Sequence, residues 1–334
     1  MTDEEPTEDL VIGVDVGGTK TLAVLVRLND HDGRPVVLDR ELAPSDAGHS
    51  TALGVIADIA SVLRDRAGSW GRVVAVGVGL AGFVDRDGIV ASAPNAAGLV
   101  GRDVRGRLEA DLGVPVVIDN DANCAAVAAR ALLAEGTRHL VAVTFGTGIG
   151  GGLIVDGRLV HGARGFAGEP GHMVVESEGP ECPCGQRGCW ERFASGAGLA
   201  YLARRAVEAG RAPVLRSAVA DPADLRGEHV TALVADGDAG AIEVFDEYAG
   251  YVALGVANLI LLLDPEVVVL GGGLIATGDE LLDRVRRHLD RRFPAAVADR
   301  DVRIVASPGG PDAGAVGAAL LAAGTRSGAG VAGG

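Results

Sequence analysis

The sequence predicts an α/β protein with two related domains facing each other across a cleft, and three observations carry that expectation. First, 48% of the 334 residues are apolar and only 3% aromatic, so the core has to be assembled from small aliphatic side chains on strands and helices. Second, VIGVDVGGTKTLAVLV (residues 11–26) and VAVTFGTGIGGGLIV (residues 141–155) are each two β-type runs joined by a Gly-rich turn. The same hairpin near the start and near the middle points to a duplicated unit whose turns both face the cleft. Third, the run EVVVL ends in Gly271–Gly273, at the C-terminal end of a predicted strand, where α/β sheets place ligands, although a lone GGG also reads as a simple tight turn.

Taken in order, the chain predicts a helix over about 50–66, a strand at VVAVGVGL, a hairpin around FVDRDGIV, a helix near 102–112 and a strand at VPVVID. The next helix begins at Asp121 and is alanine-rich, with Asn120 or Asp121 able to cap it. Further helices are expected near 196–208, 239–263, 279–292 and 312–323, while the tail TRSGAGVAGG has nothing to bury.

Charge and composition exclude several classes. A formal charge of −15 repels phosphate backbones, so DNA and RNA are not expected partners. The acidic start MTDEEPTEDL has neither the basic residues nor the apolar run of a secretory leader, and VALGVANLILLL (252–263) is too short to span a bilayer. A buried helix and a cytoplasmic protein are the corresponding expectations.

In DVGGTK, Gly17 and Gly18 free backbone amides for a phosphate, Thr19 adds a hydroxyl and Lys20 a cation. Lys20 is the only lysine among 30 basic residues, and Asp15 is placed to hold Mg²⁺ or its water. An ordinary hairpin turn is the alternative. GTGIGG satisfies the dinucleotide pattern GxGxxG, but a strand follows where a dinucleotide fold needs a helix, and no GxxxxGK[ST] is present.

Three of the four cysteines, Cys182, Cys184 and Cys189, fall within eight residues, and His172 lies ten residues upstream. Three thiolates and an imidazole make a closed tetrahedral zinc set with no position left for a catalytic water, so the metal should be structural. Cys124 stands apart and fills core space. Asn120-Asp121 follows a strand at a helix start, either as a plain cap or with the carboxylate accepting the proton of an attacking hydroxyl. Glu169 and Glu191 bracket the cysteine loop, which could hold both as acceptors for a polyhydroxy ligand.

DVGGTK, SAPN, DNDAN, FGTGIGGG, GEPGH and CPCGQRGCWE occur in the order and spacing that resemble the ROK family of sugar kinases and sugar-responsive repressors, from about residue 10 to 322. The resemblance implies an actin-like, ribonuclease H-like pair of domains. Residues 1–120, completed by about 305–334, would form the smaller one, and 121–304, with the zinc loop, the larger. It further implies Asp121 as catalytic base, with Asn95, Asn120, Asp121, Glu169, His172 and Glu191 on the sugar. Zinc would sit on His172, Cys182, Cys184 and Cys189. ATP with Mg²⁺ would lie at Asp15, Gly17, Gly18, Thr19, Lys20, Gly146, Thr147, Gly148, Gly272 and Gly273. Within the family the set looks most like a glucose-phosphorylating kinase, usually a dimer or tetramer.

Two rivals remain. A sugar-sensing repressor needs some tens of residues ahead of the first hairpin for its DNA-binding helices, and ten precede it here. A kinase for fructose, mannose or an N-acetylhexosamine uses the same hydroxyl-binding residues and stays open.

Overall fold

The computed structural model describes residues 8–28, 34–45, 52–93, 96–133, 136–273, 279–298 and 300–326. In chain order the strands are β1 (Asp9–Val16), β2 (Lys20–Arg27), β3 (Val36–Pro44), β4 (Arg72–Leu80), β5 (Phe83–Val84), β6 (Val90–Ser92), β7 (Val116–Asn120), β8 (Leu140–Phe145), β9 (Ile149–Val155), β10 (Arg158–Leu159), β11 (Val267–Gly271) and β12 (Arg303–Ala306). The helices are α1 (Ala52–Arg66), α2 (Val104–Leu112), α3 (Asp121–Leu132), α4 (Glu191–Ala194), α5 (Gly196–Glu208), α6 (Pro213–Ser217), α7 (Gly227–Ala235), α8 (Ala239–Leu263), α9 (Asp279–Arg292), α10 (Pro294–Val297) and α11 (Ala313–Arg326).

Two five-stranded sheets share one design. Their orders are β3-β2-β1-β4-β7 and β10-β9-β8-β11-β12, so each sets a meander of three consecutive strands beside two further strands. β4 is parallel to β1 and β7 to β4, just as β11 is parallel to β8 and β12 to β11. The duplication read from the two glycine hairpins is therefore present in the strand order itself.

The chain divides into two compact units, residues 1–138 with 152–168 and 307–334, and residues 139–151 with 169–306. The sequence expectation set the boundary at residue 120. In the structure α3 belongs with the first unit, because it packs against α11, which lies on β1 and β4.

Period-2 alternation explains the first unit. Leu10, Ile12, Val14 and Val16 face one way, into a core completed by Val55, Ile56, Ile59 and Leu63 of α1 and Leu108 of α2. Val11, Val24, Val26 and Ala75 face the other way, onto Ala315, Val316, Ala319 and Ala322 of α11. α11 lies close to the strands. A Cβ at Gly13 would overlap the carbonyl of Ala315, and one at Gly77 that of Ala318. Gly77→Val is expected to cost about 3 kcal/mol through overpacking against backbone that cannot yield, measured as a lowered midpoint of thermal unfolding.

In the second unit α8 is long and apolar enough to cross a membrane by length and composition, yet more than half of its apolar window is buried. It packs against α4, α5, α7 and α9. Elements without a strong sequence signal are β3, whose side chains are only partly buried, the short α4, α6 and α10, the nine-residue α7 and the four-residue β12. The tail was expected to begin at Thr325, but α11 continues to Arg326; the residues beyond lie outside those described.

Candidate active site

In the first unit, the C-terminal ends of β1 and β7 carry the carboxylates Asp15, Asp119 and, just after β7, Asp121. Asp15, near the end of β1, lies beneath α11, where a Cβ on Gly314 would come within 2.6 Å of its Oδ2. Glycine at 314 thus leaves room for the carboxyl. Burial first, and the charge of Asp121 second, push the Asp15 carboxyl up to about 7 from 3.8. Because the folded value exceeds the unfolded one, the stability this group contributes is complete below about pH 3.8 and is lost as pH rises to about 7. Asp15→Asn is expected to melt above the wild type at pH 8, with the gap shrinking at pH 5, in a thermal melt followed across pH.

The strand-to-helix junction after β7 holds the other carboxylates. Asn120 caps α3, its Oδ1 accepting from the backbone N–H of Ala122 (2.8 Å) and Asn123 (3.1 Å). Its Nδ2 donates to the carbonyl of Gly82 at 3.0 Å, so the cap is also tied to the loop before β5. Asp121, the first residue of α3, accepts from the Ala122 N–H at 2.8 Å. Burial raises its proton affinity, and that N–H bond opposes the rise. Of the two cap candidates Asn120 therefore takes the larger share, with two backbone N–H groups against one for Asp121.

The β1–β2 turn is closed by the Gly17 N–H donating to the Lys20 carbonyl at 3.0 Å. Ser45 braces it, its hydroxyl donating to the Gly17 carbonyl at 2.7 Å. Gly18, Thr19 and Lys20 are exposed. Ser45 went unread because a lone serine after a proline carries no pattern.

In the second unit, the Sγ atoms of Cys182, Cys184 and Cys189 and a ring nitrogen of His172 lie within 4.8 Å of one another. Sγ of Cys184 and Cys189 are 3.6 Å apart, and Cys182 Sγ is 3.7 Å from His172 Nδ1. Ligands of a tetrahedral zinc with about 2.3 Å Zn–S bonds sit about 3.8 Å apart, so the set fits the ion, whereas a disulfide needs about 2.05 Å. The loop is folded by backbone as well: Gly188 has φ +69 and would overlap the Glu176 carbonyl if it carried a Cβ.

Glu191 opens α4 directly after the loop. Its Oε1 accepts from the Cys182 thiol at 3.0 Å and lies 3.8 Å from His172 Nδ1. A Cβ at Gly148 would come within 2.8 Å of its Oε2, so the β8–β9 turn and Glu191 are in contact. Gly146 accepts from the Gly196 N–H (2.9 Å), and Gly272, at φ +98, packs on the Phe145 backbone; a Cβ at Gly273 would meet nothing within 4 Å. Trp190 anchors the assembly: its Nε1 donates to the Tyr251 carbonyl at 2.7 Å and its ring meets Phe145 edge-on. Glu169 is half-buried just before the 170–172 turn, whose His172 N–H donates to its carbonyl at 3.2 Å.

The structure thus gathers Asp15, Asn120 and Asp121 in the first unit with the turn Gly17–Lys20. It gathers His172, the three cysteines, Glu191, Gly146–Gly148 and Gly272 in the second. Asn95 lies outside the described residues. Two site neighbours that the sequence reading passed over are Asp119 and His161, joined at 2.6 Å.

Comparison with known proteins adds the following. The profile of the ROK family matches residues 11–325. A glucokinase from Streptomyces coelicolor is 36% identical over 320 residues, covering 94% of this chain and 97% of its own. An N-acetylmannosamine kinase from Citrobacter koseri is 32% identical over 321 residues, 94% of this chain and 99% of its own. Among solved structures, a ROK family glucokinase from Streptomyces griseus in complex with glucose and AMPPNP superposes with a TM-score of 0.75. It is 35% identical and covers 94% of this chain and 99% of its own.

Proposed function

Because the chain belongs to the ROK family, with the actin-like fold of its sugar kinases, we infer that it is an ATP-dependent glucokinase that makes glucose 6-phosphate. The observation that carries the reading is the likeness, over nearly the whole chain, to a glucokinase solved with glucose and an ATP analogue.

Asp121 takes the proton of the sugar 6-hydroxyl as that oxygen attacks the γ-phosphate. Its raised proton affinity suits the role, since a base that binds protons too weakly contributes little driving force. Asn120, Asn95, Glu169, His172 and Glu191 hold sugar hydroxyls. Backbone amides at Gly18–Lys20 and at Thr147 and Gly148 receive phosphates, the Gly17 and Gly146 N–H groups being spent on closing their own turns, with Gly272 and Gly273 beside the nucleotide. Asp15 would hold Mg²⁺, which would supply positive charge against the transferring group. Zinc on His172, Cys182, Cys184 and Cys189 is structural, since four protein ligands leave no open position. A cytoplasmic homo-oligomer without nucleic-acid or membrane partners completes the reading.

The test is ADP release with ATP and Mg²⁺ against glucose, mannose, fructose, N-acetylglucosamine and N-acetylmannosamine. The highest kcat/KM on glucose is the expected result. A preference for N-acetylmannosamine would move the chain to the second activity among its relatives, and sugar binding without ADP release from any member would make it a sensor.

A further inference from the structure

Asp119 is the residue before the Asn120–Asp121 pair, only 7% exposed, and its carboxylate bonds to Asn120, Asn123 and His161. Its Oδ1 accepts from the Asn120 N–H at 2.7 Å and from Asn123 Nδ2, on the first turn of α3, at 2.8 Å. Its Oδ2 pairs with His161 Nε2 at 2.6 Å. A carboxylate held on both oxygens cannot rotate, so the turn from β7 into α3 that aims Asp121 is held with it. His161 arrives from a separate stretch of chain that is itself anchored. Arg86 Nε donates to the Gly162 carbonyl at 2.9 Å, and Gly165, at φ +97, rests on the Val84 carbonyl of the β5–β6 hairpin. The loop leading into that hairpin also supplies the Gly82 carbonyl that receives Asn120 Nδ2.

We propose that His161 is a positioning residue for the Asn120–Asp121 pair, acting through the carboxylate of Asp119. The proposal rests on the reading of Asp121 as the base. Without His161, one oxygen of a buried carboxylate loses its partner. The group regains one only by turning, which breaks the bonds that hold Asn120 and Asn123. The His161 hydrogen bond to Asp119 is the largest effect raising the imidazole's proton affinity; burial opposes the rise, the Asp119 charge adds to it, and Arg86 opposes it. Asp119 on β7 and Arg86 on the β5–β6 turn are the charged groups facing the ring. As pH rises and the imidazole becomes neutral, a charge-assisted bond turns into a weaker one, and aim is lost. Loss of turnover on the alkaline side follows, whereas the carboxyls of Asp15 and Asp121 can impose only acid-side losses.

The experiment is kcat and KM from pH 6 to 9 for wild type, His161→Gln, His161→Ala and Asp121→Asn, each with a thermal melt. Glutamine keeps a donor but removes the charge. We expect folded His161→Gln with kcat down on the order of tenfold, KM for ATP within about twofold of wild type, and no alkaline fall. His161→Ala should regain part of its kcat when imidazole is added. His161→Gln with the wild-type kcat and the same alkaline fall would overturn the proposal, as would a loss in His161→Ala that tracks only its unfolded fraction. Full turnover in Asp121→Asn would instead remove the base, and the premise with it; inactive Asp121→Asn beside an unaffected His161→Gln would overturn the role of His161 alone.

Discussion

Replacing Asp121 by asparagine is expected to lower kcat by roughly 10²–10⁴-fold while the KM for glucose changes by no more than a few-fold. The separation follows from the junction after β7. The cap of α3 is made by Asn120, whose Oδ1 takes two backbone N–H groups, so the helix start survives the substitution. Asparagine is nearly isosteric and can still accept from the Ala122 N–H, the bond that now holds Asp121. What it cannot do is take a proton. Steady-state kinetics with a thermal melt decide the matter: equal loss in kcat and kcat/KM at unchanged Tm is the signature of an interaction made only in the transition state. Unchanged turnover would remove Asp121 from the mechanism.

The second large effect concerns the cysteine loop. Stripping metal with a chelator, or Cys184→Ser, is expected to abolish measurable glucose binding and to weaken nucleotide binding less. The reason lies in Glu191. Its Oε1 lies 3.0 Å from Cys182 Sγ and 3.8 Å from His172 Nδ1, two of the four side chains that would hold the zinc. A metal on those side chains would fix them and, through them, the Glu191 carboxylate that sugar hydroxyls would meet; without it the loop loses that brace. Titration calorimetry with glucose on metal-loaded and metal-free protein, beside metal content by emission spectroscopy, checks this. Metal-free protein that binds glucose with full affinity would refute it.

The fold was readable wherever local pattern and tertiary role agree. The two glycine hairpins announce themselves because a turn between two buried strands needs both apolar runs and permissive backbone. Helices such as α5, α8 and α9 were placed to the residue from apolar spacing. β3 was not, since a partly exposed edge strand mixes charge with apolar residues. The His172–cysteine cluster was legible because three of its four members crowd into one loop. His161 and Asp119 were not: they are 42 residues apart, and neither has meaning until the fold joins them. Glycines at 148, 314 and 77 likewise look like any others in a Gly-rich chain, and only their neighbours give each a separate reason.

The placement of α11 has a consequence for how the chain is made. The first sheet is complete in outline once β7 has left the ribosome, yet the helix that covers Val11, Val24 and Ala75 consists of residues 313–326, made only after the whole second unit. Throughout translation of the whole second unit, a bare apolar sheet face waits for its lid, the circumstance in which nascent chains recruit chaperones. A premature stop after residue 306 would spare every residue of the cysteine loop and still ruin the first unit.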